Sequence, residues 1–117
     1  MVMRKFTYLT MMIFMILGIQ QTIVALTCSQ VERKLTPCVA YVTGSGGAVP
    51  QPCCEGVRAL NNQAVTTSDR QATCRCIKTL AKELRGLNLD TLAELPSKCG
   101  VNLPYTLGPS TDCNKIK

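Results

Sequence analysis

The chain of 117 residues contains no histidine and no tryptophan, and aromatic residues make up 4% of it. Without histidine there is no Ser–His or Cys–His nucleophile pair and no imidazole to bind a metal. No stretch reaches the ~20 consecutive apolar residues of a membrane-spanning helix. The carboxylates that follow residue 25 are Glu32, Glu55, Asp69, Glu83, Asp90, Glu94 and Asp112. None sits in a local motif that suggests an acid–base pair. The reading is of a protein that is not an enzyme, with no cofactor and no metal. Large apolar side chains are also unevenly placed. All five Met, both Phe and one of three Tyr fall within the first 15 residues. After residue 25 the only aromatic rings are Tyr41 and Tyr105.

That unevenness divides the chain in two. Met1 to Lys5 is basic, Phe6 to Ile19 is apolar apart from Thr7, Thr10 and Gly18, and Gln20 to Ala25 passes to small residues. This is the pattern of a secretory signal peptide, residues 1–25, with cleavage expected after Ala25. The remainder, residues 26–117, keeps all eight cysteines and 11 basic against 7 acidic side chains, a net charge of +4. A single small domain of this length buries only about 60% of its unfolded surface. With no large rings to fill a core, something other than packing must hold it.

Cysteine supplies that hold. Eight cysteines in a short secreted chain imply four disulfides. A metal site is a poor rival, since the expected compartment is oxidising and Cys74-Arg75-Cys76 lacks the CxxC spacing of redox enzymes.

Between the cysteines the pattern is helical. Thr27-Cys28-Ser29-Gln30 has the form of a capping box, and Val31, Leu35, Cys38, Val39 and Val42 follow on one stripe. Pro37 should kink this helix, and Gly44 to Gly47 should end it. A second helix begins near Pro50 or Pro52 and carries Cys53, Cys54, Val57, Leu60 and Ala64. Ser68-Asp69-Arg70-Gln71 is a second capping-box form, with Asp69 read as a cap. The third helix then carries Cys76, Ile77, Leu80 and Leu84, and Gly86 stops it. A fourth spans Asp90 to Ser97 with Leu92 and Leu95 inward. The tail from Val101 is irregular and fastened by Cys113.

The cysteine spacing is C-x9-C-x14-CC-x19-C-x-C-x22-C-x13-C. Adjacent Cys53 and Cys54 point about 100° apart on a helix and so need different partners. Beyond that, the geometry of the sequence leaves many of the 105 pairings open. As a whole the pattern resembles that of the plant non-specific lipid transfer proteins, type 1. Thr66-Thr67-Ser68-Asp69-Arg70 is similar to that family's T/S-x-x-D-R pentapeptide, and Pro104-Tyr105-Thr106-Leu107-Gly108 to its P-Y-x-I-S pentapeptide. Leu95 to Val101 resembles its approach to the tail. Gly108 in place of Ser, Arg75 where Asn is common and a gap of 14 rather than 13 are the departures.

The resemblance implies the pairings Cys28–Cys76, Cys38–Cys53, Cys54–Cys99 and Cys74–Cys113. It implies an all-α fold: a disulfide-stapled four-helix bundle whose irregular C-terminal loop encloses an apolar tunnel. Val31, Leu35, Val39, Val57, Leu60, Ile77, Leu80, Leu84 and Leu107 would line the tunnel, and Arg70 and Tyr105 would meet the lipid headgroup. The implied function is that of an extracellular, monomeric carrier moving fatty acids, acyl derivatives and phospholipids between membranes, in defence or cuticle deposition. Its membrane contact would be transient. The alternative readings of these residues are plain core, a solvated Arg70 and a packing Tyr105. Arg33, Lys34, Arg58, Arg75, Lys78, Lys82, Arg85 and Lys98 offer attraction to anionic surfaces. Nucleic acid is excluded, for want of a basic arm or stacking platform. The alternatives are a membrane-perturbing defence peptide and a protein-binding inhibitor like the related amylase and trypsin inhibitors.

Overall fold

The computed structural model describes residues 4–12, 26–44 and 46–117. Residues 4–12 are helical, with Phe6, Tyr8, Leu9, Met11 and Met12 exposed. The remainder of the leader, including the expected cleavage point after Ala25, lies outside the described residues. No helix among those described is long and apolar enough to cross a membrane.

The domain is all-α, with no strand among the described residues. Helix α1, Cys28–Leu35, opens with a complete capping box: Gln30 N donates to Thr27 Oγ1 at 3.3 Å, and Thr27 N donates to Gln30 Oε1 at 3.0 Å. The expected kink is a full interruption. Pro37 lacks the amide that would continue the ladder, so the chain tightens into a 3₁₀ turn, Thr36–Cys38, before α2, Val39–Val42. Helix α3 spans Gln51–Gln63 and starts from Pro50.

Helix α4, Thr67–Glu83, begins earlier than its sequence suggests. Thr66 is the cap: it is extended, and its Oγ1 accepts from Asp69 N at 3.0 Å. Asp69 therefore lies in the first turn, where its charge suits the positive helix end, and is not the cap itself. Gln71, read as the box partner, is used elsewhere. Its Nε2 donates to Ile116 O at 2.8 Å and to Asn114 O at 3.3 Å. Replacing Thr66 by Ala is expected to cost about 1 kcal/mol in a urea melt, and Ser68→Ala close to nothing. The same α4 face carries Arg75, which donates to Asn114 Oδ1 at 2.7 Å, and Lys78, which donates to Thr111 O at 2.8 Å. With Cys74, these side chains clasp the tail along the helix.

Helix α5, Leu89–Lys98, is capped by Asn88, whose Oδ1 accepts from Asp90 N and Thr91 N. Asn88 N also donates to Val42 O at 2.8 Å, tying α5 to α2. The tail is irregular to a short 3₁₀ turn at Cys113–Lys115.

Four disulfides join Cys28–Cys76, Cys38–Cys53, Cys54–Cys99 and Cys74–Cys113. Among the described residues, seven of the sixteen buried apolar residues are cysteines, so sulfur takes the place that rings usually hold. The core is also divided. One cluster gathers Tyr41, Val42, Leu92, Leu95 and Leu107 around Cys38–Cys53 and Cys54–Cys99. A second sets Val31 and Leu60 on Cys76, and a third sets Ile116 on Cys74–Cys113. Each cluster is a wall built on a bridge, and space remains between the walls.

Candidate functional site

Among the described residues, two cavities with mainly aliphatic walls lie in that space, apart from a more open groove of about 550 Å³ along the tail. The larger, about 390 Å³, lies between α3, α4, α5 and the tail. The smaller, about 260 Å³, lies between α1, α2, the C-terminal half of α4 and α5. Leu35, Ile77, Leu92 and Leu95 line both, so the two adjoin along these four aliphatic side chains.

Most of the residues expected to line a tunnel face one cavity or the other. Leu35, Val57, Leu60, Ile77 and Leu107 face the larger cavity. Leu35, Val39, Ile77, Leu80 and Leu84 face the smaller. Val31 is placed differently. It is 1% exposed, packs with Leu60 and Cys76, and lines neither cavity. It sits one turn before Leu35, on the part of the stripe that meets the neighbouring helices.

Arg70 and Tyr105 come together at the larger cavity although 35 positions separate them in sequence. Arg70 reaches it from the first turn of α4. Its Nη2 donates to Val65 O at 2.8 Å and its Nη1 approaches Lys117 O at 3.5 Å. These contacts fix the guanidinium beside the tail. Tyr105 comes from the tail and is half-buried. Burial pushes its phenol above the usual tyrosine pKa, and the positive charge of Arg70 opposes this in part. Tyr105 is thus a neutral hydroxyl donor at physiological pH, next to a fixed cation. Lys117 adds a second cation to the same lining. This mouth can receive an anionic or strongly polar head while the aliphatic interior receives an alkyl chain.

Several lining residues had no such role in the sequence reading. Leu92 and Leu95 were legible as inward-facing from their i, i+3 spacing, but not as side chains along which two cavities adjoin. Leu103, Ile116 and Lys117 lie in the tail, where no periodicity marks a face. Tyr41 is a packing residue: it is buried and lines neither cavity. Its hydroxyl accepts from Lys98 Nζ at 3.0 Å, and that bond, with Glu94 at 3.6 Å, raises the lysine above its ordinary pKa.

The basic surface is less free than its composition suggests. Arg75, Lys78 and Lys98 are engaged as above, and Arg58 Nε donates to Cys99 O at 3.0 Å. Among the described residues no cluster of three or more Cys, Asp or Glu side chains is placed to hold a metal ion.

Comparison with known proteins agrees with this geometry. A model of the Protease inhibitor/seed storage/LTP family matches residues 28–113. A non-specific lipid-transfer protein of Prunus avium is 55% identical over 93 residues, covering 80% of this chain and 79% of the relative. A solved structure of non-specific lipid transfer protein 1 from barley, in complex with a lysophosphatidylcholine, superimposes with a TM-score of 0.75 at 48% identity. It covers 79% of this chain and 100% of that one. A crystal structure of the wheat protein with two molecules of phospholipid gives a TM-score of 0.74 at 43% identity, covering 78% and 100%.

Proposed function

Since this chain belongs to the Protease inhibitor/seed storage/LTP family, among the non-specific lipid-transfer proteins, we propose that it is a secreted carrier of single- and double-chain acyl lipids. The leader, residues 1–25, directs secretion and is removed after Ala25. The mature domain binds a fatty acid or phospholipid, shields its alkyl chain from water, and releases it at another membrane. No bond is made or broken. The observation that carries the reading is the larger cavity: an aliphatic volume of about 390 Å³ whose charged lining is Arg70 and Lys117, with Tyr105 beside them.

The energetics favour an occupied state. Each methylene that leaves water for the cavity gains about 0.8 kcal/mol. The head contributes less, because Arg70 is only partly buried and its pairing is screened by solvent. Headgroup selectivity is accordingly loose, and chain burial dominates. A membrane-perturbing role draws less support, because Arg58, Arg75, Lys78 and Lys98 are tied into the fold.

Native mass spectrometry of the oxidised protein, titrated with a long-chain fatty acid, tests this. Saturable adducts are expected. Arg70→Ala should weaken them about tenfold and Tyr105→Ala about threefold, as for loss of one charge-assisted and one neutral hydrogen bond. Adducts unaffected by either variant would remove these residues from the mouth. A correctly bridged protein that takes up no lipid would end the carrier reading.

A further inference from the structure

The rim of the larger cavity carries an apolar side chain that the fold does not use. Among the described residues after residue 25, the large apolar side chains left exposed are Val39, Val65 and Leu89, at 38%, 69% and 51%. Val39 lines the smaller cavity. Val65 lines neither cavity and belongs to none of the apolar clusters. It stands in the short connection between α3 and α4. Asn61 and Ala64, just before it, line the larger cavity. The most exposed large apolar side chain of the domain is therefore at the mouth.

The backbone that presents it is already satisfied. Val65 N donates to Gln63 O at 3.0 Å, and Val65 O accepts from Arg70 Nη2 at 2.8 Å. On either side, Ala64 N donates to Leu60 O at 2.9 Å and Arg70 N to Thr66 O at 3.0 Å. Paired peptide groups can leave bulk water at little cost, whereas unpaired ones cannot. The chain from Ala59 to Ser68 also has no charged residue. Beyond it, Arg58 is tied to Cys99 O. Arg70 and Lys117 line the mouth and Lys115 the adjoining groove, with Asp69 and Asp112 at the same end. Three cations against two carboxylates leave this end weakly positive, which complements an anionic bilayer.

We infer that Val65 is the tip by which this protein docks on a lipid bilayer. Its side chain enters the boundary between headgroups and acyl chains, and the neutral amides and hydroxyls of Asn61, Asn62, Gln63, Thr66 and Thr67 lie at the level of the headgroups. The mouth of the larger cavity then faces the membrane. An alkyl chain passes between bilayer and cavity without crossing bulk water, which is the costly step for a carrier. Apolar insertion anchors the contact, and the weak positive charge only steers it. This inference rests on the carrier reading and names the surface on which loading and release take place.

The chain has no tryptophan, so a single one reports on its own surroundings. Val65→Trp places it at the tip. Leu89→Trp places it at the other exposed apolar site, which follows the far end of α4. Each oxidised protein, from a secreting host, is mixed with vesicles of phosphatidylcholine and phosphatidylglycerol, with and without brominated acyl chains. A blue shift and quenching by the brominated chains are expected for Val65→Trp, and neither for Leu89→Trp. Val65→Thr keeps the branched shape and exchanges one methyl for a hydroxyl. It should slow transfer of a fluorescent phospholipid between vesicles about fourfold, as for one methylene kept out of an apolar phase. Binding of dodecanoate in solution, read by calorimetry, should be unchanged. Intact circular dichroism and four bridges by mass confirm that the variants fold. Emission of Val65→Trp that vesicles leave unchanged, equal quenching at both positions, or unaltered transfer by Val65→Thr would overturn the inference. Dodecanoate binding without insertion at Val65 would overturn it while leaving the carrier reading in place. Insertion at Val65 without dodecanoate binding would support the docking tip and count against the carrier reading.

Discussion

Replacing Cys28 and Cys76 together by alanine is expected to remove about 4 kcal/mol of stability, the loss in chain entropy for a bridge of this span. The two cysteines are 48 positions apart. Replacing Cys38 and Cys53, only 15 apart, should remove about 3 kcal/mol by the same relation. A domain of this size has a total of about 5–15 kcal/mol, so the first variant stands near the edge of folding. The effect is concentrated where packing is thinnest. Among the described residues only Val31 and Leu60 are buried with Cys76 in that cluster, and Leu26, Leu35, Ile77 and Leu80 pack on it half-buried. Urea midpoints of the two double variants, measured with both proteins otherwise fully oxidised, check the prediction. Equal midpoints, or a smaller loss for Cys28/Cys76, would show that local packing and not loop closure sets the stability. Saturating fatty acid should raise both midpoints, because ligand binds only the folded form.

Gly56→Ala is expected to destabilise by about 2–3 kcal/mol, although alanine is the better helix former by about 1 kcal/mol. A Cβ at position 56 would lie 1.9 Å from Lys34 O. The obstruction is backbone, not the movable end of a side chain, so α1 and α3 must separate. That separation would strain the Cys38–Cys53 bridge and widen the wall that holds Leu35 and Val57 at the larger cavity. Thermal melts and the yield of protein with four native bridges measure the effect. A melting temperature that is unchanged or higher would mean that the two helices part at little cost. The contrast with Thr66→Ala is one of mechanism: the cap variant loses one hydrogen bond at an exposed helix end, whereas the glycine variant disturbs a contact between two helices.

Much of the architecture is legible in the residues because its causes are local. Thr27 and Gln30 cap a helix whether or not the rest of the chain is present. Pro37 interrupts the first helical segment because it has no amide to give. Leu92 and Leu95 face inward because a helix repeats every 3.6 residues. The one cap misread, at Ser68, shows the limit of that logic. Thr66, Thr67 and Ser68 are all competent caps, and Gln71 was free to serve a box. Contact with the tail decided the matter, since Gln71 is taken by Asn114 and Ile116, and Thr66 begins the helix.

The sequence by itself determined that the protein is small, held by sulfur and not by rings, helical, and marked by the family's cysteine spacing and pentapeptides. It could not choose among the cysteine partners from local geometry. Pairing depends on which Cα atoms come within 4.8–5.7 Å in the folded chain. Nor could it separate Val31 from Leu35. Both lie on one aliphatic stripe, and an aliphatic side chain looks the same in sequence whether it meets a neighbour or an open volume. The tertiary structure decided that Val31 is core, that Leu35 stands where two cavities adjoin, and that Arg70 and Tyr105 line the same cavity. A cavity is the space that several helices leave between them. Its size is set by how closely they cross, as at Gly56, and by where the bridges hold them, and neither property belongs to any single segment.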